Sequence, residues 1–412
     1  MSTPIIVIGA GICGVSTAIW LQRCGRKVLL IDKGAPGMGA SYGNAGLLAH
    51  WAVDPVTSPG LWKEAAKYLL HPNGPLFIKW SHVPRLLPWL VRFMANATDA
   101  DTQRIVQNLD PLLYDTVAQH KALVADTNLA RWVADSKFSY AYPTTDAFKA
   151  DAYSWKIKES VGLVPTLISG REVQEAEPIL GSSVQCLAVL EGQGHITDPG
   201  QYVAQLCKYF TDHGGKFIQA EVLDITMKNG RVSSVETIDQ TFECSHAVIT
   251  AGIWSKDLMN KLGVSISLET ERGYHILFEN PSELPRNPMV ITSGRFGVTP
   301  MEMGLRCAGT VELADHHAGP SKGPIKLLKR QAMAAFPNLQ YTGIQEWMGF
   351  RPTPPDSTPL IGEIDSTGIY TAFGHQHIGL TAGPKTGRLI AQLIDGQTPN
   401  VNMAPYSPER FA

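Results

Sequence analysis

Ile5-Ile6-Val7-Ile8 runs straight into Gly9-Ala10-Gly11-Ile12-Cys13-Gly14, and this junction restricts the folding of the 412-residue chain more than any other feature. A short β-branched run marks a strand buried on both faces. Val15 to Cys24 then carries helical periodicity and Gly25 stops it, after which Val28-Leu29-Leu30-Ile31 forms a second buried strand ending at Asp32. Residues 1 to 32 therefore spell strand, turn, helix and strand in the least length such a unit needs. The first glycine of Gly9-x-Gly11-x-x-Gly14 permits the tight turn and the second lets a pyrophosphate approach the backbone. The third lets helix and sheet pack closely, so that the helix amides face the phosphates. An acid at the end of the next strand is placed for a ribose hydroxyl. Gly9, Gly11, Ile12, Gly14, Asp32 and the adjacent Lys33 are thus expected to hold a dinucleotide.

Composition bounds the rest. The length exceeds what one core comfortably serves, which predicts two domains. Hydrophobic residues at 44% and charged residues at 17% exclude a disordered or fibrous chain, and a net charge of −2 excludes the basic footprint of a nucleic-acid binder. The six scattered cysteines include no CxxC, which argues against zinc and disulfides and fits a reducing, cytoplasmic setting. Residues 4 to 22 lack charge but are broken by glycines and follow no basic segment, so they read as strand, turn and helix rather than signal peptide or membrane span.

Further along, the glycine-dense stretch from Gly34 to Gly46 reads as loop and residues 60 to 130 as mostly helical. Asp198-Pro199 caps a helix running to about Asp212. Lys216 to Leu223 and Arg231 to Ile238 flank a hairpin signal at Asn229-Gly230, and His246 to Thr250 is another buried strand. Gly192-Gln193-Gly194-His195 reads as a surface or hinge turn, and residues from Glu271 to about Gly319 as strands of a second sheet. Phe373 to Gly383 reads as a turn whose end opens a closing helix over Lys385 to Asp395. Val83 to Met94 has two readings: a membrane-interface segment, or buried helix packing. Pro84 and Pro88 argue against a long amphipathic helix and favour packing.

Four motifs in order carry a resemblance over nearly the whole chain. They are the opening glycine motif, Gly37 to Gly46, Val248-Ile249-Thr250-Ala251-Gly252-Ile253-Trp254-Ser255, and Gly349-Phe350-Arg351-Pro352-Thr353-Pro354-Pro355-Asp356-Ser357-Thr358-Pro359-Leu360-Ile361-Gly362 with the Gly374-His375-Gln376-His377-Ile378-Gly379-Leu380-Thr381 loop after it. Together they resemble the FAD-dependent amino-acid oxidase and dehydrogenase family, which includes glycine oxidase, sarcosine oxidase and D-amino acid dehydrogenase. Ser41 to Gly46 and Pro84 to Trp89 look most like the D-amino acid dehydrogenase branch, and the Gly374 loop like relatives acting on D-hydroxyproline-type imino acids.

The resemblance implies an α/β fold, with a Rossmann-type FAD-binding domain interleaved with a mostly antiparallel substrate domain. Residues 1–80, 195–265 and 345–412 would form the first, and 81–194 and 266–344 the second. It implies non-covalent FAD and oxidative deamination of a D-amino or imino acid, by hydride transfer from the α-carbon to flavin N5. Ser41, Asn44, Ala45, Gly46, Val222, Ala251, Gly252, Trp254, Gly374, His375, His377, Gly379, Leu380 and Thr381 would touch the cofactor, with Val222 holding the adenine through its backbone. Arg351 occupies the carboxylate-binding position, a task that suits the guanidinium fork. Tyr274 would hold substrate through its hydroxyl, His377 would contact flavin or substrate, and His50 would reach the active-site face. For Arg351 the bland reading is a structural ion pair, for Tyr274 strand core, and for the histidines a cap or a solvated loop.

The partners expected are a small amino or imino acid and an electron acceptor, either a quinone or oxygen, with peripheral contact on the inner face of the membrane in the quinone case. Alternatives are a glycine- or sarcosine-type oxidase, a flavin subunit of a multi-subunit dehydrogenase, and a nicotinamide-dependent dehydrogenase. The late motifs argue against the last.

Overall fold

The computed structural model describes residues 3–55, 57, 59, 76–315 and 317–411, and the helical expectation for residues 60–75 lies outside them. Ile5–Ile8 is buried throughout and pairs in parallel with Val28–Asp32 on one side and His246–Ile249 on the other. Its neighbours extend to a six-stranded sheet in the order Leu360–Ile364, Ile369–Phe373, His246–Ile249, Ile5–Ile8, Val28–Asp32, Lys216–Gln219, parallel except for the first pair. Register pairs Ile8 with both Ile31 and Ile249, so the strands end together and deliver Gly9, Asp32 and Thr250 to one edge. The carboxyl edge of such a sheet is where ligands bind. Helix Ile12–Arg23 starts at that edge and packs against the closing helix Gly379–Ile394.

A ten-stranded, mostly antiparallel sheet forms the other layer. Its central path runs Gly343–Thr353, Glu269–Glu279, Gly304–Leu313, Phe296–Met301, Met289–Ile291, Val133–Tyr142, Cys186–Ile196, Leu47–Leu48. Helix Lys322–Ala335 covers one face of it through Ile325, Leu328 and Ala332, which pack with Ile276, Phe278 and Leu305. The other face looks toward the glycine-rich segment after Asp32. The Rossmann-type α/β architecture expected from the sequence is the one observed.

Several local readings change. Asn229 and Gly230 both take positive φ, as a two-residue hairpin turn requires, but the incoming strand is Val222–Lys228. Lys216–Gln219 leaves the hairpin and extends the parallel sheet instead. Gly192 to His195 is no turn: it lies within strand Cys186–Ile196, and the missing Cβ of Gly194 allows the Ala134 carbonyl of the paired strand to come close. The closing helix begins at Gly379 and contains Pro384.

Val83–Ala95 is a 13-residue amphipathic helix, contrary to the expectation drawn from its prolines. Pro84 sits in the first turn, where no N–H is needed, and Pro88 costs a single helix bond. Leu86, Trp89, Phe93 and Met94 are buried against Leu313, and Trp89 Nε1 donates to the Thr353 carbonyl at 2.9 Å, so packing holds the helix in place. Leu87 and Val91, 53% and 59% exposed, face outward. Among the described residues no helix is long and apolar enough to cross a membrane.

Candidate cofactor and substrate site

Gly9 adopts φ of +111°, and a Cβ there would stand 2.7 Å from the Thr250 carbonyl oxygen. A Cβ on Gly14 would fall 1.8 Å from the Gly9 carbonyl oxygen, so helix and turn meet only because both side chains are absent. Gly11 differs, because a Cβ there would touch Ser41 Oγ alone, at 3.4 Å. Its open side faces the cavity, as a backbone approached by a phosphate should. Asp32 joins the two turns: Oδ2 accepts from the Ala10 N–H at 2.6 Å and Oδ1 from the Gly34 N–H at 2.8 Å. Each carboxylate oxygen retains accepting capacity for a hydroxyl. Ser41 Oγ accepts from the Ile12 N–H at 3.1 Å.

Gly9, Gly11, Asp32 and Ser41 line a cavity of about 520 Å³. Lys33 lies with Nζ 3.9 Å from the Trp254 ring centre, and Val222, Ala251, Gly252 and Trp254 form the far wall. Gly374, His375 and Gly379 close the opposite end. A second cavity of about 270 Å³ adjoins it, and Ile12, Ala40, Ser41, Phe350, Gln376 and Gly379 border both. The joined space, with its glycine cradle at one end and apolar walls at the other, fits an extended dinucleotide with a flat ring toward the second cavity. FAD, the cofactor implied by the sequence resemblance, suits the residues present.

Asn44, Ala45, His377, Leu380 and Thr381 line the second cavity with Arg351, Trp51 and Trp347. Gly14 and Gly46 line neither, since Gly14 packs helix to turn and the Gly46 carbonyl accepts from the Ile196 N–H at 2.7 Å. Among the described residues no hydrogen bond or close ion pair engages the Arg351 guanidinium. Its charge is met at longer range by Glu271, the residue opposite it on the paired strand. Burial pushes the Arg351 pKa down and the Glu271 pKa up, and each charge partly offsets the other's burial. His377 is pushed down to about 4 by burial, with the Arg351 charge adding to the shift, so its ring is neutral at ordinary pH. No carboxylate occurs among the described residues lining this cavity.

Three expected site residues have their side-chain polar groups engaged elsewhere. His50 Nε2 pairs with Asp110 Oδ1 at 2.8 Å, and Trp51 takes the position at the cavity wall, stacked on Phe138. Tyr274 borders the second cavity, yet its hydroxyl donates to Glu312 at 2.5 Å and accepts from the Ser321 N–H at 3.1 Å. Strand alternation explains this: Gly273 and His275 face the glycine-rich segment, while Arg272, Tyr274 and Ile276 face helix Lys322–Ala335. His375 is buried with Nε2 3.0 Å from Thr386 Oγ1 and Nδ1 3.7 Å from Cys13 Sγ, bridging the two helices that flank the cavity. Its contribution to the cavity is therefore backbone and ring surface.

Other residues build the site without any local signal in sequence. Arg306 is 2% exposed and donates from Nη1 to the carbonyls of Tyr42 and Asn44 at 3.0 and 2.7 Å, fixing the glycine-rich segment from beneath. Burial lowers its pKa to about 10, which leaves it charged. His275 stacks on Trp347 at 5.1 Å and its Nδ1 lies 3.1 Å from the Gly43 carbonyl oxygen. An arginine and a histidine within strands show only alternation in sequence, and their hydrogen-bond partners lie more than two hundred residues away.

A family model described as FAD dependent oxidoreductase matches residues 4–393. The chain is 36% identical over 415 residues to a D-amino-acid oxidase of Bradyrhizobium diazoefficiens, covering 99% of this chain and 98% of that protein. It is 26% identical to a D-amino acid dehydrogenase of Helicobacter pylori, with 95% of each covered. Among solved structures, glycine oxidase from Geobacillus kaustophilus superposes with a TM-score of 0.78 over 98% of both chains at 20% identity. L-proline dehydrogenase from P. horikoshii gives 0.73 over 100% of this chain and 98% of that one at 18% identity.

Proposed function

Because the chain belongs to the FAD-dependent oxidoreductase family, we propose that it oxidises a D-α-amino or α-imino acid at the carbon–nitrogen bond. The observation that carries this reading is Arg351, a guanidinium without a hydrogen-bonding partner among the described residues, in the wall of the cavity that adjoins the dinucleotide cradle. A guanidinium fork left without a partner in the cavity wall suits a carboxylate, whose two oxygens it binds together. The D configuration draws on the two relatives above, whose names specify D-amino acids.

When bound, FAD supplies the acceptor for two electrons and the α-hydrogen. The chain's own residues hold and orient the substrate. Arg351 anchors the carboxylate, and Trp51 and Trp347 wall off water. Arg351, in a cavity whose described lining holds no carboxylate, disfavours a substrate ammonium, so the amine binds neutral without a dedicated base. Neutral His377 offers a hydrogen bond beside Arg351. In this reading residues 1–80, 195–265 and 345–412 form the FAD-binding segments and 81–194 and 266–344 the rest of the substrate layer, with Trp51, Trp347, Arg351 and His377 reaching the substrate from the former. Oxygen or a quinone takes the electrons onward, the chain acting in the cytoplasm or at the inner face of the membrane.

The test is anaerobic bleaching of the flavin band by D- and L-amino acids, D-proline, D-hydroxyproline, glycine and sarcosine. Bleaching by D-amino or imino acids supports the assignment, and admitting air separates oxidase from dehydrogenase. A yellow protein that none of them bleaches would remove the amino-acid substrate.

A further inference from the structure

The closing helix Gly379–Ile394 carries Pro384 in its second turn. Proline has no N–H, so the carbonyl of Leu380, four residues earlier, loses its helical donor. His120 replaces it, with Nε2 2.9 Å from the Leu380 oxygen. A carbonyl only accepts, so Nε2 carries the proton and Nδ1 must accept. The Tyr202 hydroxyl, 3.0 Å away, donates to Nδ1. His120 and Tyr202 are fully buried, so both hydrogen bonds are shielded from water. One residue further on, Thr116 Oγ1 donates to the Thr381 carbonyl at 2.8 Å.

The turn gripped in this way stands at the junction of the two cavities. Gly379 borders both, and Leu380 and Thr381 border the second. The N–H groups of these three residues open the helix and have no partner within it, while Ala382 is the first to bond back, to Ile378. The positive end of the helix dipole lies at the same place.

We propose that His120 is a positioning residue for the flavin ring: it clamps the first turn of the closing helix so that the free N–H groups and dipole meet the negative charge the ring gains on reduction. The proposal rests on FAD occupying the joined cavities and is independent of which amino acid is oxidised. Its test is therefore made without substrate.

The variants are His120→Leu, His120→Gln and Tyr202→Phe. FAD affinity is read by titrating apoprotein, the two-electron midpoint potential by dye equilibration, and folding by thermal denaturation. Wild-type protein that binds no FAD would defeat the cofactor reading itself. With FAD bound, His120→Leu is expected to weaken FAD affinity about tenfold, from one unsatisfied buried carbonyl, and to move the potential negative. His120→Gln, which keeps an N–H donor, is expected to recover both to within about threefold of wild type. Tyr202→Phe should shift the potential in the same direction by less. A folded His120→Leu protein with wild-type potential and affinity overturns the proposal. Should that variant not fold, a Tyr202→Phe protein that melts lower but keeps the wild-type potential overturns it equally, by reducing the cluster to fold stabilisation.

Discussion

The guanidinium of Arg351 lies across the backbone of Gly273 on the neighbouring strand, where a Cβ would stand 2.7 Å from Arg351 Nε. The glycine is thus the floor on which the arginine rests. Gly273→Ala is expected to displace the fork from the cavity while leaving the dinucleotide cradle intact. The expected result is a fall in kcat/KM of roughly 100-fold, about 3 kcal/mol, with flavin content unchanged. Arg351→Ala should match it or exceed it. Full activity of Gly273→Ala on a carboxylate substrate would show that Arg351 does not anchor it.

Gly14→Ala tests the cradle itself. Its Cβ would overlap the Gly9 carbonyl oxygen at 1.8 Å, so helix and turn must separate. Purified protein should be colourless and should not regain flavin on addition of FAD. Gly11→Ala has a milder local clash, 3.4 Å to Ser41 Oγ, and should fold normally while binding FAD weakly. Normal flavin content in Gly14→Ala would refute the packing argument.

The buried histidines make stability depend on pH. Burial lowers the pKa of His120, His375 and His377 to about 4 and that of His275 to about 3, from 6.5 for a free ring. Between these values the unfolded chain binds more protons than the folded one, so stability falls as pH drops. Urea midpoints are expected to be flat above about pH 7 and to decline steadily from about 6.5 toward 4. Equal midpoints at pH 7.5 and pH 5 would show that these rings are solvated.

Activity should carry no such limb. His377, neutral at ordinary pH, does not titrate near 6.5. The kcat/KM profile is therefore expected to rise with deprotonation of the substrate amine, and His377→Asn should lower the rate about tenfold without altering its shape. A limb near 6.5 that disappears in His377→Asn would make His377 an acid–base group.

The opening unit was legible because its information is local. Ile5–Ile8, the three glycines and Asp32 act within one short stretch, and each spacing has a single steric meaning. The Asn229-Gly230 turn was legible for the same reason, although its incoming strand was not. His50 was misread because Asp110 lies 60 residues away, and nothing beside His50 announces that partner. Where the Tyr274 hydroxyl goes was not legible, because a strand offers its residues alternately to two faces and only packing selects the face. His375 and His377 stand two positions apart, yet one is wedged against Cys13 and Thr386 while the other reaches the second cavity.

By itself, then, the sequence determined the nucleotide-binding unit and the α/β class. These follow from sterics and chemistry that a few adjacent residues carry. The tertiary structure decided which polar groups stay available to a ligand. Glu312 takes the Tyr274 hydroxyl and Asp110 takes His50, while Arg351 is left unsatisfied in the cavity wall and His120 is sent to a carbonyl that Pro384 strands. A buried donor or acceptor must find a partner, and which partner it finds is a property of the whole packing.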